Sequence, residues 1–421
     1  MAGALVPRER LGWSLNAVAL GALEGGLLGV IVKNQFADAA SPLAVSLAVA
    51  AVTGAPAFAN LSSFLFAGLA LGRDRARVLS GLMALIGACL LFMPLAQHDA
   101  AGLILLTLLT VVARVAWSGI LTVRATVWRA NFPRGLRGHV TARFERLSSL
   151  VVGSFSALVG LALAWSGGAW RLLFPLAACC ALAAAAVYRR TPVRRQGRLL
   201  QAEALGEGRR GLSLRAMAAL LRRDRDFRRY MIGMMVFGGG NLMVLPMLVI
   251  QVVDYFQLGR MQQVLITSSL PVLVLCFTVT FWAARLDSRH IISYRVVHVW
   301  NFVAMEVVFG LAVATHQPAL LWLGAALMGS ALGGGQLGWN LGHNDFAGDA
   351  DSSVYMATHV SLTGVRGLVM PVIGVAVVQW LEQLRPGLGA YAMVFPLALT
   401  LAGSLWFVHL YRERRRLGLP L

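Results

Sequence analysis

Acidic side chains are scarce in this sequence: 18 Asp and Glu stand against 37 Lys and Arg in 421 residues, and charged residues of both signs make up only 13%. A soluble domain carries roughly 25%, so a water-facing surface of ordinary polarity cannot be built from this chain. Cysteine is sparse too. Cys89, Cys179, Cys180 and Cys276 all fall within apolar runs, at spacings that make neither a zinc site nor an extracellular disulfide framework, and are read as packing residues. A Gly-rich phosphate loop of the Walker type, an HExxH pair and a Gly-x-Ser-x-Gly elbow are all missing. Nothing here supports an enzyme, and no cofactor or metal is expected.

Apolar length is what the chain has in excess. Hydrophobic residues reach 58%, and runs near 20 residues recur, each long enough to cross a hydrocarbon core of about 30 Å. Twelve spans are read, over 12–35, 43–67, 78–96, 101–123, 147–166, 170–188, 230–252, 262–284, 291–314, 318–342, 353–380 and 388–410. The opening "MAGALVPRERLGW" places basic residues before an apolar run, as a signal peptide does. That run is too long and lacks a small-residue cleavage site, so it is taken as a retained first span.

A net charge of +19 raises the question of nucleic acid, and the placement of the charges answers it. With the loops numbered alternately, 31 of the 37 basic residues fall on the side of the two termini. The other side holds only Lys33, Arg171, Arg260 and Arg385, while Arg114 and Arg366 lie inside spans. This asymmetry follows the positive-inside rule and predicts an inner-membrane protein with both termini cytoplasmic. The charge is then an orientation signal and a contact with anionic headgroups, and nucleic acid is not an expected partner.

The longest polar stretch, 189–229, separates six spans from six. It predicts an N-terminal bundle over 1–188, a basic cytoplasmic linker over 189–229 and a C-terminal bundle over 230–421. The linker's first part, "RRTPVRRQGRLLQAEALGEGRRG", reads as flexible. Its second places Leu214, Met217 and Leu221 on one face, as an interfacial helix does. The halves also echo each other. "GLALGRDRARVL" follows the second span and "FWAARLDSRHII" the eighth, with Asp74 and Asp287 213 positions apart; Glu24 and Asn241 lie 217 apart in the first and seventh spans. Such offsets point to a duplicated six-helix unit of the sort found in secondary transporters.

Six plus six helices, a long basic central loop and cytoplasmic termini resemble the major facilitator superfamily. Its loop signature after the second helix is Gly-x-x-x-Asp-Arg-x-Gly-Arg-Arg. Gly68, Gly72, Asp74, Arg75 and Arg77 stand in that neighbourhood with altered spacing and without the internal glycine, and Asp287 and Arg289 form a weaker second copy. "VVARVAWSGIL" is similar to the family's fourth-helix pattern, through Arg114 and Gly119. The fifth span lacks the proline of drug–proton antiporters, which counts against that branch. The resemblance implies an all-α polytopic membrane protein, twelve transmembrane helices in two pseudo-symmetric six-helix bundles, with the first and fourth helices lining a central cavity.

Ionisable residues inside spans are expensive and face a cavity or a partner. Glu24 and Arg114 form the obvious opposite pair of the first half, and Thr107, Thr110, Arg114, Ser118 and Thr122 follow helical spacing on one polar stripe. Glu24 is read as a proton-coupling or substrate-contacting carboxylate, with a permanent interhelical ion pair as the competing reading. In the second half His359, Thr363 and Arg366 share a face, as do Gln336, Asn340 and His343. Arg366 reads either as a partner for solute or as a group bound to a backbone carbonyl or to an acid such as Asp345. Two arginines from opposite halves favour an anionic or zwitterionic solute. Asp254 is placed at the outer end of the seventh span, Glu306 with His298 and Asn301 on a peripheral ninth helix, and Trp13, Trp300 and Trp406 at the interfaces.

The expectation is a monomeric secondary transporter that moves a small solute by alternating access, coupled to protons. Glu24, Arg114, Asn241, Gln336, Asn340, His359, Thr363 and Arg366 are the candidate solute and coupling residues. A non-transporting assembly factor or sensor on the same scaffold is the second reading.

Overall fold

The computed structural model describes residues 2–132, 134–204, 214–347, 352–419 and 421, with side chains throughout these except at 2–4, 134–139, 202, 204, 352 and 353. Among the described residues twelve helices are long and apolar enough to cross a membrane. The first half holds α1 (Leu5–Gln35), α2 (Pro42–Ala70), α3 (Arg75–Leu95), α4 (Ala100–Asn131), α5 (Val140–Trp165) and α6 (Trp170–Arg189). The second holds α7 (Arg225–Tyr255), α8 (Arg260–Leu286), α9 (Ile291–Thr315), α10 (Ala319–Ala347), α11 (Val354–Leu384) and α12 (Leu388–Arg416). All twelve expected spans are present.

Side-chain caps explain where several helices begin. Ser41 Oγ accepts from Ala44 N–H, Asp99 Oδ1 from Gly102 N–H and Asp224 Oδ1 from Phe227 N–H, each satisfying a donor that the first turn leaves free. The ends differ from expectation at α1, α4 and α5, which run several residues past their apolar stretches. There the polar ends are packed against one another. Glu9 is fully buried and accepts from Tyr188 Oη at 2.6 Å and Trp128 Nε1 at 3.2 Å. Trp13, expected at the interface, is also buried, stacked on Trp117 and covered by the Arg124 guanidinium 3.9 Å from its ring.

Among the described residues two large apolar cores form, one mainly in each bundle, with a small third cluster of Ala17, Leu20 and Val152. Leu79, Met83, Phe174 and Ala181 belong to the first, and Phe227, Phe237, Phe309 and Phe407 to the second. The bundles meet along α2 with α11, where Gly54 lies against Pro371 and Gly367 against Ala57, and along α5 with α8, where Gly160 lies against Val264. Small residues let these backbones approach without a large side chain between them.

An even number of crossings puts both termini on one face. On the opposite face four polar contacts among the described residues tie the bundles together: Lys33 Nζ to Asp254 Oδ2 at 2.6 Å, Asn34 Nδ2 to Gln263 Oε1 at 2.7 Å, Gln379 Nε2 to Ser46 Oγ at 2.9 Å and Arg260 Nη1 to Leu163 O at 3.4 Å. Asp254, unplaced in role by sequence, is thus half of an inter-bundle ion pair.

The linker departs from expectation in its first part. Gln196–Ala204 is helical, and Glu203 accepts from Gly72 N–H at 2.8 Å and pairs with Arg75. Upstream, Asn131 Nδ2 donates to Pro192 O and Asn131 Oδ1 accepts from Arg194 N–H. These contacts hold a segment whose composition alone reads as free chain. Leu214–Arg223 is helical as expected; Leu214 is 80% exposed, whereas Leu221 packs on the second core. Residues 205–213 lie outside the described residues.

Candidate functional site

α1 is two helical segments, Ala2–Ala22 and Gly25–Gln35, separated at Leu23 and Glu24, where Glu24 takes φ −57° and ψ 130°. A break inside a span leaves carbonyls without their helical donors, which hydrocarbon does not tolerate unless protein or a cavity satisfies them. Side chains of two other helices do so here. Ser156 Oγ of α5 donates to Gly21 O at 2.8 Å. Arg114 of α4 donates to Leu23 O through Nε at 3.1 Å and also through Nη2. The same Nη2 reaches Glu24 Oε1 at 3.3 Å. The guanidinium is 5% exposed and the carboxylate 26%, so the acid keeps access that its partner lacks.

Two glycines after the break let neighbouring helices approach it closely. Gly25 lies on the Thr53 backbone of α2, and Gly26 on the Thr267 backbone of α8, where Leu265–Ser269 forms a π-helical turn. Single π turns recur at functional positions of helices. The α4 stripe does not present as expected. Thr107, Thr110 and Thr122 donate back to Leu103 O, Leu106 O and Ser118 O of their own helix. Arg114 remains, with Ser118 Oγ and both side-chain polar atoms of buried Asn16 unpartnered close along the same helices.

The second-half candidates separate into two groups. His359 and Arg366 are buried, with Thr363 between them; Arg366 donates to Met234 O and, at 3.4 Å, to Thr363 Oγ1. Its guanidinium lies on Gly238 of α7, so the carbonyl reading of Arg366 describes its contact, and Asp345 instead accepts from Ile291 N–H at 2.6 Å. Gln336 and Asn340 are exposed while His343 is buried, so the three do not act as one face. Asn241 is half-buried, donates to Phe237 O at 3.1 Å and leaves Oδ1 unpartnered. Glu306 accepts from Thr400 Oγ1 of α12 at 2.8 Å, and Asn301 donates to Ser330 Oγ, so this part of α9 serves packing within the bundle.

Sequence reasoning missed Arg295. Counted among loop arginines because it follows "LDSRHIISY", it is 1% exposed inside α9, against Gly338 of α10. Tyr230, Ser156 and Glu203 were missed as well. None departs from its local pattern; a serine in an apolar span is the faintest of such signals.

The Major Facilitator Superfamily matches residues 11–371. The chain belongs to that superfamily. It is therefore a transporter rather than an enzyme. Solved structures agree in fold across the whole superfamily member. A D-xylose–proton symporter matches with a TM-score of 0.70 at 12% identity, covering 96% of each chain. The nucleoside transporter NupG matches with 0.69 at 12% identity, covering 97% of this chain and 99% of its own. An auto-inhibited POT family peptide transporter matches with 0.70 at 14% identity, covering 98% and 97%. No curated protein matches the sequence.

The residues expected to form the loop motif have separate surroundings. Gly68 is exposed. Asp74 caps α3, its Oδ1 accepting from Ala76 N–H at 2.9 Å and Arg77 N–H at 3.2 Å, with Arg77 itself 80% exposed. Arg75 is buried on the linker's Glu203. Asp287 and Arg289 are both exposed, and α9 is capped by His290, whose Nδ1 accepts from Ile292 N–H at 3.2 Å.

Proposed function

We propose that this transporter moves a small anionic or zwitterionic solute by alternating access, with Glu24 exchanging the coupling proton. The observation that carries the reading is the break in α1. Arg114 is held by Leu23 O independently of the carboxylate, so Glu24 can lose its charge without stranding the guanidinium from every partner. Discontinuous helices whose free backbone groups face a midplane site are a recurring device of secondary transporters. In this proposal the bundles 1–188 and 230–421 rock about that site, joined by 189–229, and Asn241 stands on the opposite wall with a free Oδ1. The arginine-rich face is cytoplasmic and the membrane a bacterial inner one, supported by the loop asymmetry.

The test is transport into liposomes with solute-dependent proton movement as readout, for Glu24→Gln beside Glu24→Gln/Arg114→Gln. Glu24→Gln is expected to express normally and lose gradient-driven accumulation while retaining exchange of bound solute. Poor expression of the single variant, restored by the double, refutes the coupling role and leaves Glu24 as a structural partner.

A further inference from the structure

The half of the second bundle nearer the termini contains a concentration of cationic and donor groups with no acid among them. Arg295 (1% exposed) on α9 lies against Gly338 of α10, next to Trp339, and Arg366 (5%) follows the fully buried His359 two turns along α11. The rings of Tyr230 and Trp339 flank the imidazole at 6.3 and 6.1 Å.

The donor inventory is what calls for a ligand. Arg295 Nε and Nη2 and Arg366 Nε are N–H donors buried without a hydrogen-bond partner, as are Tyr230 Oη and both ring nitrogens of His359, of which a neutral imidazole offers one as a donor. Arg295 Nη1 meets only His298 Nδ1 at 3.4 Å, since His298 Nε2 is committed to Ala331 O. Among the described residues no carboxylate forms an ion pair with Arg295 or Arg366. Asp345, whose charge reaches His343, already accepts from Ile291 N–H at the start of α9. Water can satisfy a donor but does not neutralise two guanidinium charges in a low-dielectric interior, where unpaired charge is strongly unfavourable.

We infer that the space between Arg295, Arg366, His359 and Tyr230 is a binding site for a small inorganic anion of halide size, held within the second bundle. The burial of every donor favours a compact ion over an organic solute. The site is separate from the Glu24–Arg114 break in the first bundle and does not depend on the role of that pair. A halide accepts from several donors at once without directional demands, which suits guanidinium, imidazole and phenol groups arriving from α7, α9 and α11.

The full-length protein, purified in sodium gluconate, provides the test. Replacing gluconate by chloride or bromide at constant ionic strength should raise the unfolding temperature saturably, by about 2–4 °C. Arg295→Gln should abolish that rise and, in gluconate, should unfold no earlier than the unsubstituted protein, because it removes an uncompensated buried charge. Crystals grown with bromide should show an anomalous peak between the two guanidinium groups. Indifference of the unsubstituted protein to halide, a response to sulfate or phosphate alone, or an undiminished response in Arg295→Gln overturns the proposal. If Arg295→Gln does not fold, the bromide peak decides, and its absence from the cluster is equally fatal.

Discussion

Arg114 and Arg366 are both buried guanidinium groups inside spans, one in each half of a pseudo-symmetric molecule, yet their surroundings differ in kind. Arg114 closes a broken helix and has a carboxylate within reach. Arg366 donates to the carbonyl of Met234 on α7, and among the described residues no carboxylate forms an ion pair with it. The two halves therefore share a count of six helices but not their electrostatics. The first half has an acid–base pair beside irregular backbone, whereas the second has Asn241 on an uninterrupted stretch of α7. The first arrangement suits the proton exchange proposed for Glu24, and the second suits the anion site proposed for the Arg295–Arg366 cluster.

The sharpest way to break this contrast is to truncate each arginine. Arg114→Ala leaves Glu24 without its cation and Leu23 O without its donor, and should cost about 3–5 kcal/mol, seen as a collapse in yield of monodisperse protein. Arg366→Ala, measured in halide-free buffer, should cost clearly less because no charge partner is lost with it. Equal losses would remove the asymmetry.

Glycine separates the halves next. A side chain at Gly26 runs into the Thr267 backbone of the opposite bundle, whereas one at Gly240 runs into Pro396 O and Thr400 of its own. Gly26→Leu should thus fold but fail to close the face bearing Lys33 and Asp254. Transport should fall at least ten-fold and labelling of a cysteine placed at Asn34 by an impermeant reagent should rise. Gly240→Leu should instead lower the unfolding temperature. An unlabelled, active Gly26→Leu protein would show that the contact at Thr267 is not part of closure.

The smallest effect concerns the helix starts, capped by Asp74 in the first half and His290 in the second. Burial holds the His290 imidazole below its ordinary value; Arg414 adds to this, while Asp345 and Asp226 oppose it. Its Nδ1 must also stay unprotonated to accept from Ile292 N–H. The unfolded chain binds the proton more readily, so this contribution is present above about pH 6.5 and is lost as pH falls through that value toward the lower folded one. Unfolding between pH 7 and 5 should lose about 0.5–1 kcal/mol through this cap, and His290→Asn should flatten that part of the profile.

The spans were legible because a membrane helix is specified by length and apolarity, which a sequence displays directly. Glu24 and Arg114 were legible for the complementary reason: a charge in an apolar run stands out, and the structure brings the two within 3.3 Å. The break between them was not, since Gly25 and Gly26 read equally well as packing residues in a continuous helix. Arg295 was hidden by its neighbours, because an arginine four residues into a span after "LDSRH" looks like part of the loop. Trp13 was misplaced by a rule about span ends that ignores what the next helix brings to the same level. Linker order failed for a related reason. Glu203 has no local signal, and its partners Gly72 and Arg75 lie more than a hundred residues away.

The Arg124 guanidinium lies 3.9 Å from the Trp13 ring and 4.0 Å from the Trp128 ring, and its Nη1 is 2.9 Å from Glu145 Oε1 on α5. Indole emission responds to a nearby cation, and this cation is tethered to a helix that also faces the other bundle through Gly153 and Gly160. Any tilt of α5 that draws Glu145 away changes how the cation sits between two fluorophores. Such a tilt is expected to change the emission of Trp13 and Trp128, two of the eleven tryptophans, and comparison with an Arg124→Gln variant would isolate their share.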